Sequence, residues 1–593
     1  MSSKSLTFFA GALLSFLTLA GGFIACSSER TSGFDDNAEN GFNDGSINFG
    51  QGDGEAGACL GGCSGDLHSL LDCNGNVIMT CPPDQGCAQG KCLPACEAAA
   101  ANKSSVGCDY YVYPPPFFSG STSCLGAFIA NTWGSPIKVT ISRGAQTFSA
   151  EQFGYLPTGS GSSITYAPLT GGVVPPGAVA LIILNQEGPA CPAGTTPATG
   201  KVAVTETGIG DAFRIQTDAP SVAYDIFPYG GGSTAVSSAT LLIPTTAWGD
   251  NYVGTTAYPM TIGGANPWLG VVAAEDGTDV TISPSVAIVG GAGVAGSAAG
   301  TPVTYKLNAG QYVQLSQSTD LTGSIIKANK PIGSWAGNRC TQVPSGPVAC
   351  DGMHQQIPPV RALGSTYVAA RYRNRHENVE EKPPWRIVGA VDGTTLTYDP
   401  PQPNAPATIG SGEMKMFDAA GPFIVKSQDA QHPFFFASYM TGCAVPGQNP
   451  PLQCAGDPEF VNVIPPDQWL TSYVFFTDPT YPDTNLVFIR RKASDGTFKD
   501  VDLDCTGALG DWQPIGTEYE YTRVDLVKGN FQKQGTCDNG RHEVKSTARF
   551  GLTVWGWGSA LSTGFSSQAV SYAYPAGASV QPINDVVIPP VVK

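Results

Sequence analysis

The sequence predicts an all-β protein in which a small disulfide-rich module precedes tandem, repeated β-sandwich-like modules. Three observations lead to this prediction: short alternating runs of apolar residues, 73 glycines and 47 prolines among 593 residues, and 17 cysteines of which eight cluster near the amino terminus. A propeller-like closed array of the same repeats is the alternative architecture, because the repeats alone do not fix how the modules meet.

The alternating runs are the signal for strands. In residues 278–283, Val280 and Ile282 fall on one face of an extended chain, and residues 311–316 and 324–328 alternate in the same way. No segment beyond Cys108 carries a sustained helical stripe. The body of the chain is therefore predicted to consist of strands of about five residues separated by turns.

Composition and charge exclude several classes of protein. The chain has 31 Lys and Arg against 48 Asp and Glu, a net charge of −17, and only 13% charged residues. Such a surface cannot neutralise phosphates with clustered cations, so no nucleic-acid partner is expected. A content of 42% hydrophobic residues is enough to build cores, which excludes a wholly disordered chain, and no Gly-X-Y period indicates collagen.

The first residues are predicted to direct export. Residues 1–25 read as a secretory signal peptide, with a charge-free apolar run at residues 6–24; an uncleaved anchor is the alternative, because the run is long enough to span a bilayer. The end of this run is similar to a bacterial lipobox, in which the cysteine is acylated and becomes the new amino terminus. Cys26 is therefore the predicted lipidation site, and the mature protein is expected at the outer membrane and cell surface.

Two segments separate the predicted anchor from the repeats. Residues 26–58 are expected to form an acidic, flexible linker that is rich in Gly, Asn and Ser. Residues 59–108 contain eight cysteines and few residues for a core, so this module is expected to fold because disulfides hold it together.

The cysteine count supports export into an oxidising compartment. Assigning Cys26 to lipid leaves sixteen cysteines, an even number. The connectivity of the eight in residues 59–108 stays open, whereas eight later cysteines are disulfide candidates that follow one another in sequence: Cys124, Cys191, Cys340, Cys350, Cys443, Cys454, Cys505 and Cys537. Zinc is the competing interpretation, but the spacings lack paired C-x-x-C knuckles, and no metal is expected.

The body of the chain repeats itself. Residues 247–253 are echoed by residues 362–368 and 468–474, and the Asp-Gly-Thr sequence at Asp276 is echoed at Asp392. Both aspartates are interpreted as turn formers rather than ligands. The period of about 115 residues divides residues 109–593 into approximate repeats 109–240, 241–355, 356–465 and 466–580.

Five short segments resemble the N-terminal domain of IgGFc-binding proteins, a family abundant in secreted and lipidated proteins of myxobacteria. They are KSSVGC at 103–108, DGTDVT at 276–281, HQQIPP at 354–359, LGSTYV at 363–368 and VSYAYPAG at 570–577. The resemblance covers about residues 108–577 and implies an extracellular binding or adhesion scaffold with no set of catalytic residues. Immunoglobulin binding does not transfer, because the von Willebrand-type domains of the animal protein that gives the family its name are absent here.

The sequence carries few residues in catalytic patterns. The five histidines, at 68, 354, 376, 432 and 542, show no metal-binding spacing, and neither a nucleophile elbow nor a phosphate-binding glycine loop is present. The chain is therefore not expected to be an enzyme or to carry a cofactor. The alternative is a secreted carbohydrate-active hydrolase, whose two carboxylates need only be close in space.

One charged segment is the candidate binding site. Residues 371–386 concentrate charge in a charge-poor chain, and their Arg and aromatic content is typical of interface anchors. The candidate residues are Arg371, Tyr372, Arg373, Arg375, Trp385 and Arg386. A solvated long hairpin whose opposite charges pair is the alternative interpretation.

Together these observations predict a lipid-anchored surface protein that binds an extracellular protein or glycan through its repeated modules. Rigid repeated modules suit multivalent contact rather than turnover. A purely structural component of the envelope remains a further alternative.

Overall fold

The computed structural model describes residues 60–72, 75–118, 124–188, 190–230, 236–260, 262–344, 349–377, 379–443, 453–563 and 565–590. The predicted signal peptide, Cys26, the acidic linker, Cys59 and Cys73 lie outside these residues. Within them, no helix combines the length and the apolar character that crossing a membrane requires. Strands far outnumber helices among the described residues, so the all-β prediction is confirmed.

The disulfide-rich module comes first and has almost no apolar core. A three-stranded sheet, a hairpin and one helix make up its described part: β1 (Leu60–Cys63), β2 (Ser69–Asp72), β3 (Val77–Thr80), β4 (Gln85–Ala88), β5 (Lys91–Pro94) and α1 (Ala95–Asn102). Disulfides join Cys63 to Cys87, Cys81 to Cys92, and Cys96 to Cys108. Covalent links thus replace the buried surface that so short a segment cannot supply.

Four sheet systems follow, which we call the first to fourth modules. The first module contains β6 (Val106–Val112), β7 (Cys124–Asn131), β8 (Ile137–Arg143), β9 (Gln146–Phe148), α2 (Ala150–Phe153), β10 (Gly154–Thr158), β11 (Thr165–Pro168), β12 (Val173–Val174), β13 (Val179–Gln186), β14 (Gly208–Asp211), β15 (Phe213–Phe227) and β16 (Ser238–Leu241). The second contains β17 (Gly249–Val253), β18 (Pro267–Ala273), β19 (Thr278–Ser283), β20 (Val303–Leu307), β21 (Gln311–Ser316), β22 (Ile325–Thr341) and β23 (Asp351–Ile357). Strand β14 pairs with β21, so the first module lends one strand to the second.

The third and fourth modules repeat this plan. The third contains β24 (Thr366–Ala369), β25 (Pro384–Gly389), β26 (Thr394–Asp399), β27 (Thr408–Ile409), β28 (Met414–Asp418), β29 (Phe423–Ser427), β30 (Phe434–Met440) and β31 (Glu459–Asn462). The fourth contains β32 (Leu470–Thr477), β33 (Asp483–Arg491), β34 (Val501–Leu503), β35 (Gly507–Ala508), β36 (Gln513–Ile515), β37 (Tyr519–Lys528), β38 (Gln532–Lys533), β39 (Gly540–Trp557), α3 (Phe565–Gln568) and β40 (Ser571–Pro575).

One long strand organises three of the four modules. The first half of β22 pairs with β17 and β19, and its second half pairs with β18 and β23, so one strand serves two sheet halves. Strands β15 and β39 do the same in the first and fourth modules. In the third module the equivalent stretch is divided into β29 and β30, on separate sheets that enclose a common core. The modules are therefore sandwich-like, with facing half-sheets around an apolar interior.

The four modules close into a ring. The last strand of each module is an inner edge strand, and these strands touch in cyclic order: β16 with β23, β23 with β31, β31 with β40, and β40 with β16. An exposed strand edge can pair with another chain and aggregate. At the centre of the ring, each inner edge strand is covered by the inner strands of the two neighbouring modules. The sequence left two architectures open, tandem β-sandwich-like modules and a propeller-like closed array. The structure combines them, because sandwich-like modules are arranged in a closed ring.

A repeated corner explains the most conspicuous sequence repeat. A short 3-10 turn precedes β17, β24 and β32, and a tyrosine then accepts a hydrogen bond from the backbone N–H three residues earlier. The hydroxyl of the same tyrosine donates to a backbone carbonyl on β22, β30 or β39. The pairs are Tyr252 with Ile332, Tyr367 with Phe434, and Tyr473 with Phe550. Each corner therefore ties the entry of a module to the strand that spans it.

Residues 576–588, which we call the C-terminal strap, touch all four modules. Near its start, Ala576 O accepts the hydroxyl of Tyr224 on β15 of the first module at 2.6 Å. Ala578 O accepts the Ser105 N–H at 2.7 Å, and Ser579 N–H donates to Gln468 O at 2.8 Å. Further along, Asn584 Nδ2 donates to two carbonyls of the turn at 360–363, and Ile588 exchanges two hydrogen bonds with the Asn251 side chain. The strap therefore crosses the first, fourth, third and second modules in turn.

Candidate functional site

The six predicted binding residues lie in the interior. Tyr372, Trp385 and Arg386 are 0% exposed, Arg371 and Arg375 are 5% and 7% exposed, and the Arg373 side chain is 15% exposed. Both interpretations of this segment expected side chains in water. The opposite charges do pair, but they do so in the interior, partly within the segment and partly between modules, rather than on a solvated hairpin.

The arginines of this segment connect neighbouring modules. Arg373 donates from Nη2 to Asp483 and from Nε to Asp525, each at 2.7 Å, and thereby bonds the third module to the fourth. Arg386 faces the opposite neighbour and donates to the Thr256 and Ala257 carbonyls and to Asp320 in the second module; these distances are 2.5, 3.0 and 3.0 Å. Their observed contacts are thus internal clamps, and partner binding by these six residues stays a prediction.

The other candidates have internal partners as well. Arg375 forms an ion pair with Glu381 at 2.8 Å, and Tyr372 donates its hydroxyl to the same carboxylate at 2.9 Å. Arg371 Nε donates to the Ala420 carbonyl at 3.0 Å. Trp385 Nε1 likewise donates to a backbone carbonyl, that of Ala419.

The disulfide candidates are bonded in sequence order. The pairs are Cys124 with Cys191, Cys340 with Cys350, Cys443 with Cys454, and Cys505 with Cys537. Each pair closes a loop within one module and so restricts the unfolded chain of that module.

The centre of the ring is polar. Gln355 Nε2 on β23 lies within 3.1 Å of backbone carbonyl oxygens on the three other inner strands, namely those of Ala239, Phe460 and Ala573. One amide can reach all three only where the four inner strands converge. Gln355 therefore marks the ring axis and satisfies carbonyls that the edge strands leave unpaired.

Three fully buried carboxylates lie near this axis: Asp351, Asp457 and Glu459. Burial, followed by repulsion from the other two carboxylates, raises the pKa of Asp351 well above its usual range. Burial also raises the pKa values of Asp457 and Glu459. Because all three are enclosed, they do not form an open pair of carboxylates that a substrate could reach from solvent.

Asp478 gives a testable pH dependence. It is buried between the first and fourth modules, where Oδ1 accepts the Thr480 N–H at 2.8 Å, and burial raises its pKa to about 7 from 3.8. In the unfolded chain it ionises near pH 4, so its contribution to stability is fully present below that pH and is lost as pH rises to about 7. We expect Asp478→Asn to become more stable relative to wild type across this window. Urea unfolding at pH 4, 5.5, 7 and 8 measures the effect; a constant difference at all four values would contradict it.

An open cleft lies where the disulfide-rich module meets the first and fourth modules, and we call it the seam cleft. Its empty volume is about 1120 Å³. Residues 65–68 form one wall, residues 131–134 and 176–177 form the second, and parts of β32 and β39 form the third. A Cβ at Gly65 would lie 2.3 Å from Thr471 Oγ1, so the walls meet closely at this glycine.

The seam cleft combines an aromatic floor with a charged rim. Trp133 is 3% exposed, donates from Nε1 to Pro83 O at 2.6 Å, and has its ring centroid 4.2 Å from that of His68. On the rim, Arg541 and Glu543 form an ion pair of 3.1 Å with side chains 28% and 48% exposed. An apolar floor beside a few polar groups is the usual composition of a binding cleft.

Sequence reasoning did not identify this cleft. Its residues come from segments that are spread along the chain between Gly65 and Gly577, and no local pattern connects His68, Trp133 and Arg541. Only the docking of the disulfide-rich module against the ring brings them together.

One described group has the residue types of a metal site, namely Asp504, Cys505 and His542. Its geometry does not fit a metal, because Cys505 is disulfide-bonded and lacks a thiolate. Both imidazole nitrogens of His542 are also engaged, with Asp504 at 2.9 Å and with the Asp538 carbonyl at 2.7 Å.

Comparison with known proteins gives one consistent result. The family model described as "IgGFc binding protein" matches residues 238–556, which is more than half of the chain. The human IgGFc-binding protein is 25% identical over 251 residues, which cover 42% of this chain but only 4% of the human protein. No solved structure matches the chain.

Proposed function

The chain belongs to the IgGFc-binding protein family, and from that premise we propose that it is an extracellular, disulfide-stabilised protein that binds another protein. Arg373 and Arg386 form hydrogen bonds between modules of the closed ring, so they are not free to act on a substrate. This arrangement suits binding rather than catalysis. Since the matched segment is a small part of the human relative, the identity of the partner is not carried over. The observation that carries the proposal is the seam cleft, which offers both an aromatic floor and a charged rim.

The seam cleft suits an extended protein segment. Its three walls come from different modules, and a segment laid between them would contact the disulfide-rich module and the ring together. The exposed Arg541 and Glu543 offer one charge of each sign, which favours a partner with complementary polar groups. The Cys96–Cys108 disulfide and the hydrogen bond from Trp133 Nε1 to Pro83 O hold the disulfide-rich module against the first module, so little ordering is needed on binding.

Attachment to the cell surface is the second part of the proposal. Acylation of Cys26 would anchor the protein in the outer membrane, and the acidic linker at 26–58 would hold the ring away from the bilayer. Cys26→Ala is expected to move the protein from the membrane fraction to the soluble fraction. Unchanged membrane association would show that the lipid assignment is wrong.

Filling the seam cleft is the sharpest test of partner binding. Gly134 lines the cleft, is exposed, and a Cβ there would meet no atom within 4 Å, so Gly134→Trp should fill the space without disturbing the fold. Gly200→Trp is the matched control, because Gly200 is equally exposed and open but does not line the cleft. We expect wild type and Gly200→Trp to bind the same proteins on an array of extracellular proteins that includes immunoglobulin G Fc, and Gly134→Trp to bind at least tenfold more weakly.

Two outcomes would contradict this function. Equal binding by both tryptophan variants would show that the seam cleft is not the binding site. If no protein on the array were bound, the proposal of protein binding would be wrong. A panel of glycoside substrates tests the hydrolase alternative, which would be favoured only if turnover were present and abolished by Glu543→Gln.

A further inference from the structure

A second open cavity lies at the other end of β32 from the seam cleft. The seam cleft is lined by residues 470 and 472–474 near the start of this strand, whereas the second cavity is lined by Thr480, just beyond its end. The 160–162 segment of the first module forms one side, and Asn530, Phe531, Ser562, Thr563 and Ser567 of the fourth module form the other. Its empty volume is about 1110 Å³. We call it the hydroxyl pocket.

The lining of the hydroxyl pocket is polar but uncharged. Six hydroxyl side chains line it: Ser160, Ser162, Thr480, Ser562, Thr563 and Ser567. Asn530 adds an amide, whose oxygen accepts a hydrogen bond from Ser562 Oγ at 3.0 Å. No charged residue lies among the lining residues described, although the whole chain carries a net charge of −17. A hydroxyl donates one hydrogen bond and accepts two, so this surface matches a ligand that is itself rich in hydroxyls.

An aromatic ring stands in the same pocket. Phe531 is half-buried, its backbone N–H donates to Pro482 O at 2.9 Å, and its ring rests on Gly161, where a Cβ would approach the ring to 3.2 Å. The glycine therefore makes room for the ring at the wall of the pocket. The flat, weakly negative face of an aromatic ring attracts apolar C–H groups.

The backbone that presents Phe531 is held in an unfavourable conformation. Gly529, Asn530 and Phe531 have φ values of 65°, 65° and 67°, so three successive residues are left-handed. Glycine adopts this region freely and asparagine tolerates it, but a bulky phenylalanine is disfavoured there. A residue kept in a strained conformation points to a role in which its position matters more than local stability.

From this juxtaposition we propose that the hydroxyl pocket binds a neutral carbohydrate, a terminal hexose or N-acetylhexosamine of a glycan. The C–H face of the sugar ring would pack on Phe531, and its hydroxyls would exchange hydrogen bonds with the surrounding serines, threonines and Asn530. An anionic sugar is disfavoured, because the pocket offers no cation to pair with it and the protein is strongly acidic. The inference deepens the proposed extracellular binding function, since one glycoprotein partner would present protein to the seam cleft and glycan to this pocket.

The test uses the full chain on an array of neutral and sialylated glycans, followed by titration calorimetry of the neutral glycan that binds best. Phe531→Gly removes the ring, and relief of the left-handed strain offsets part of the packing that the half-buried ring loses, so the variant is expected to stay folded, as thermal unfolding checks, yet bind at least tenfold more weakly. Phe498→Ala is the matched control, because Phe498 is a half-buried aromatic residue in a different loop. It should bind as wild type does.

The outcomes separate this inference from the protein-binding proposal. Gly134→Trp should leave glycan binding intact, and Phe531→Gly should leave protein binding through the seam cleft intact. Absence of any neutral glycan ligand, preference for sialylated glycans, or equal binding by Phe531→Gly and wild type would each overturn the carbohydrate assignment. None of these results would affect a protein ligand that Gly134→Trp abolishes.

Discussion

Replacing Arg386 by alanine is expected to lower the free energy of unfolding by about 3–5 kcal/mol. The guanidinium is 0% exposed and hydrogen-bonds Thr256 O, Ala257 O and Asp320 of the second module, together with Thr322 Oγ1 at 2.7 Å. Alanine would leave two carbonyls without this donor and the Asp320 carboxylate, 17% exposed, without its cation. Urea unfolding at neutral pH measures the loss.

Arg491 provides the control for this prediction. It forms an exposed ion pair with Asp467 at 3.7 Å, its side chain is 48% exposed, and such pairs contribute about 0–1 kcal/mol. Arg491→Ala should therefore unfold close to wild type, and Arg386→Lys should be intermediate because lysine keeps the charge but loses the planar fork. A value for Arg386→Ala within about 1 kcal/mol of wild type would show that this arginine is not a clamp.

Deleting residues 578–593 is expected to destabilise the ring by at least about 4 kcal/mol, because each lost hydrogen bond contributes about 0.5–1.5 kcal/mol. The deletion removes the strap contacts with Ser105, Gln468, the 360–363 turn and Asn251. It also leaves the Asn251 side chain, 5% exposed, without its strap partner. Urea unfolding gives the stability, and hydrogen exchange at residues 103–105 and 360–363 reports whether the ring face opens.

Two substitutions within the strap refine this test. Asn584 is 7% exposed and bonds two carbonyls, so Asn584→Ala should cost about 1–2 kcal/mol. Val587 is 62% exposed, and Val587→Ala should have little effect. If the truncated chain were as stable as wild type with unchanged exchange, closure would depend on the inner strands alone.

Several elements were predictable because their signals are local. Alternation in residues 278–283 gave β19, and Asp276 and Asp392 do lie in turns, each followed by a glycine with a positive φ, 64° at Gly277 and 74° at Gly393. The repeat at 247–253, 362–368 and 468–474 corresponds to the tyrosine corners, whose key hydrogen bond spans only three residues. Patterns of this range are set by neighbours in the chain and survive in any tertiary context that keeps the strand.

The placement of the charged segment at 371–386 was not predictable in this way. Arg386 meets Asp320 at a separation of 66 residues, and Arg373 meets Asp525 at a separation of 152. A sequence shows that arginines and carboxylates are both present, but it does not show which of them a module interface will enclose. The seam cleft and the hydroxyl pocket have the same origin, because each combines loops from different modules.

The sequence by itself determined the all-β character, the turns and the matching order of the later cysteines, because strand alternation, left-handed turn geometry and short loop closure depend on residues close together in the chain. Only the tertiary structure decided that the modules close into a ring, that the inner strands meet at Gln355, and that the conspicuous arginines lie inside it. These features depend on which strand edges and charged side chains become buried together when segments distant in the sequence pack. Such burial is decided by the assembled structure and cannot be read from a local sequence pattern.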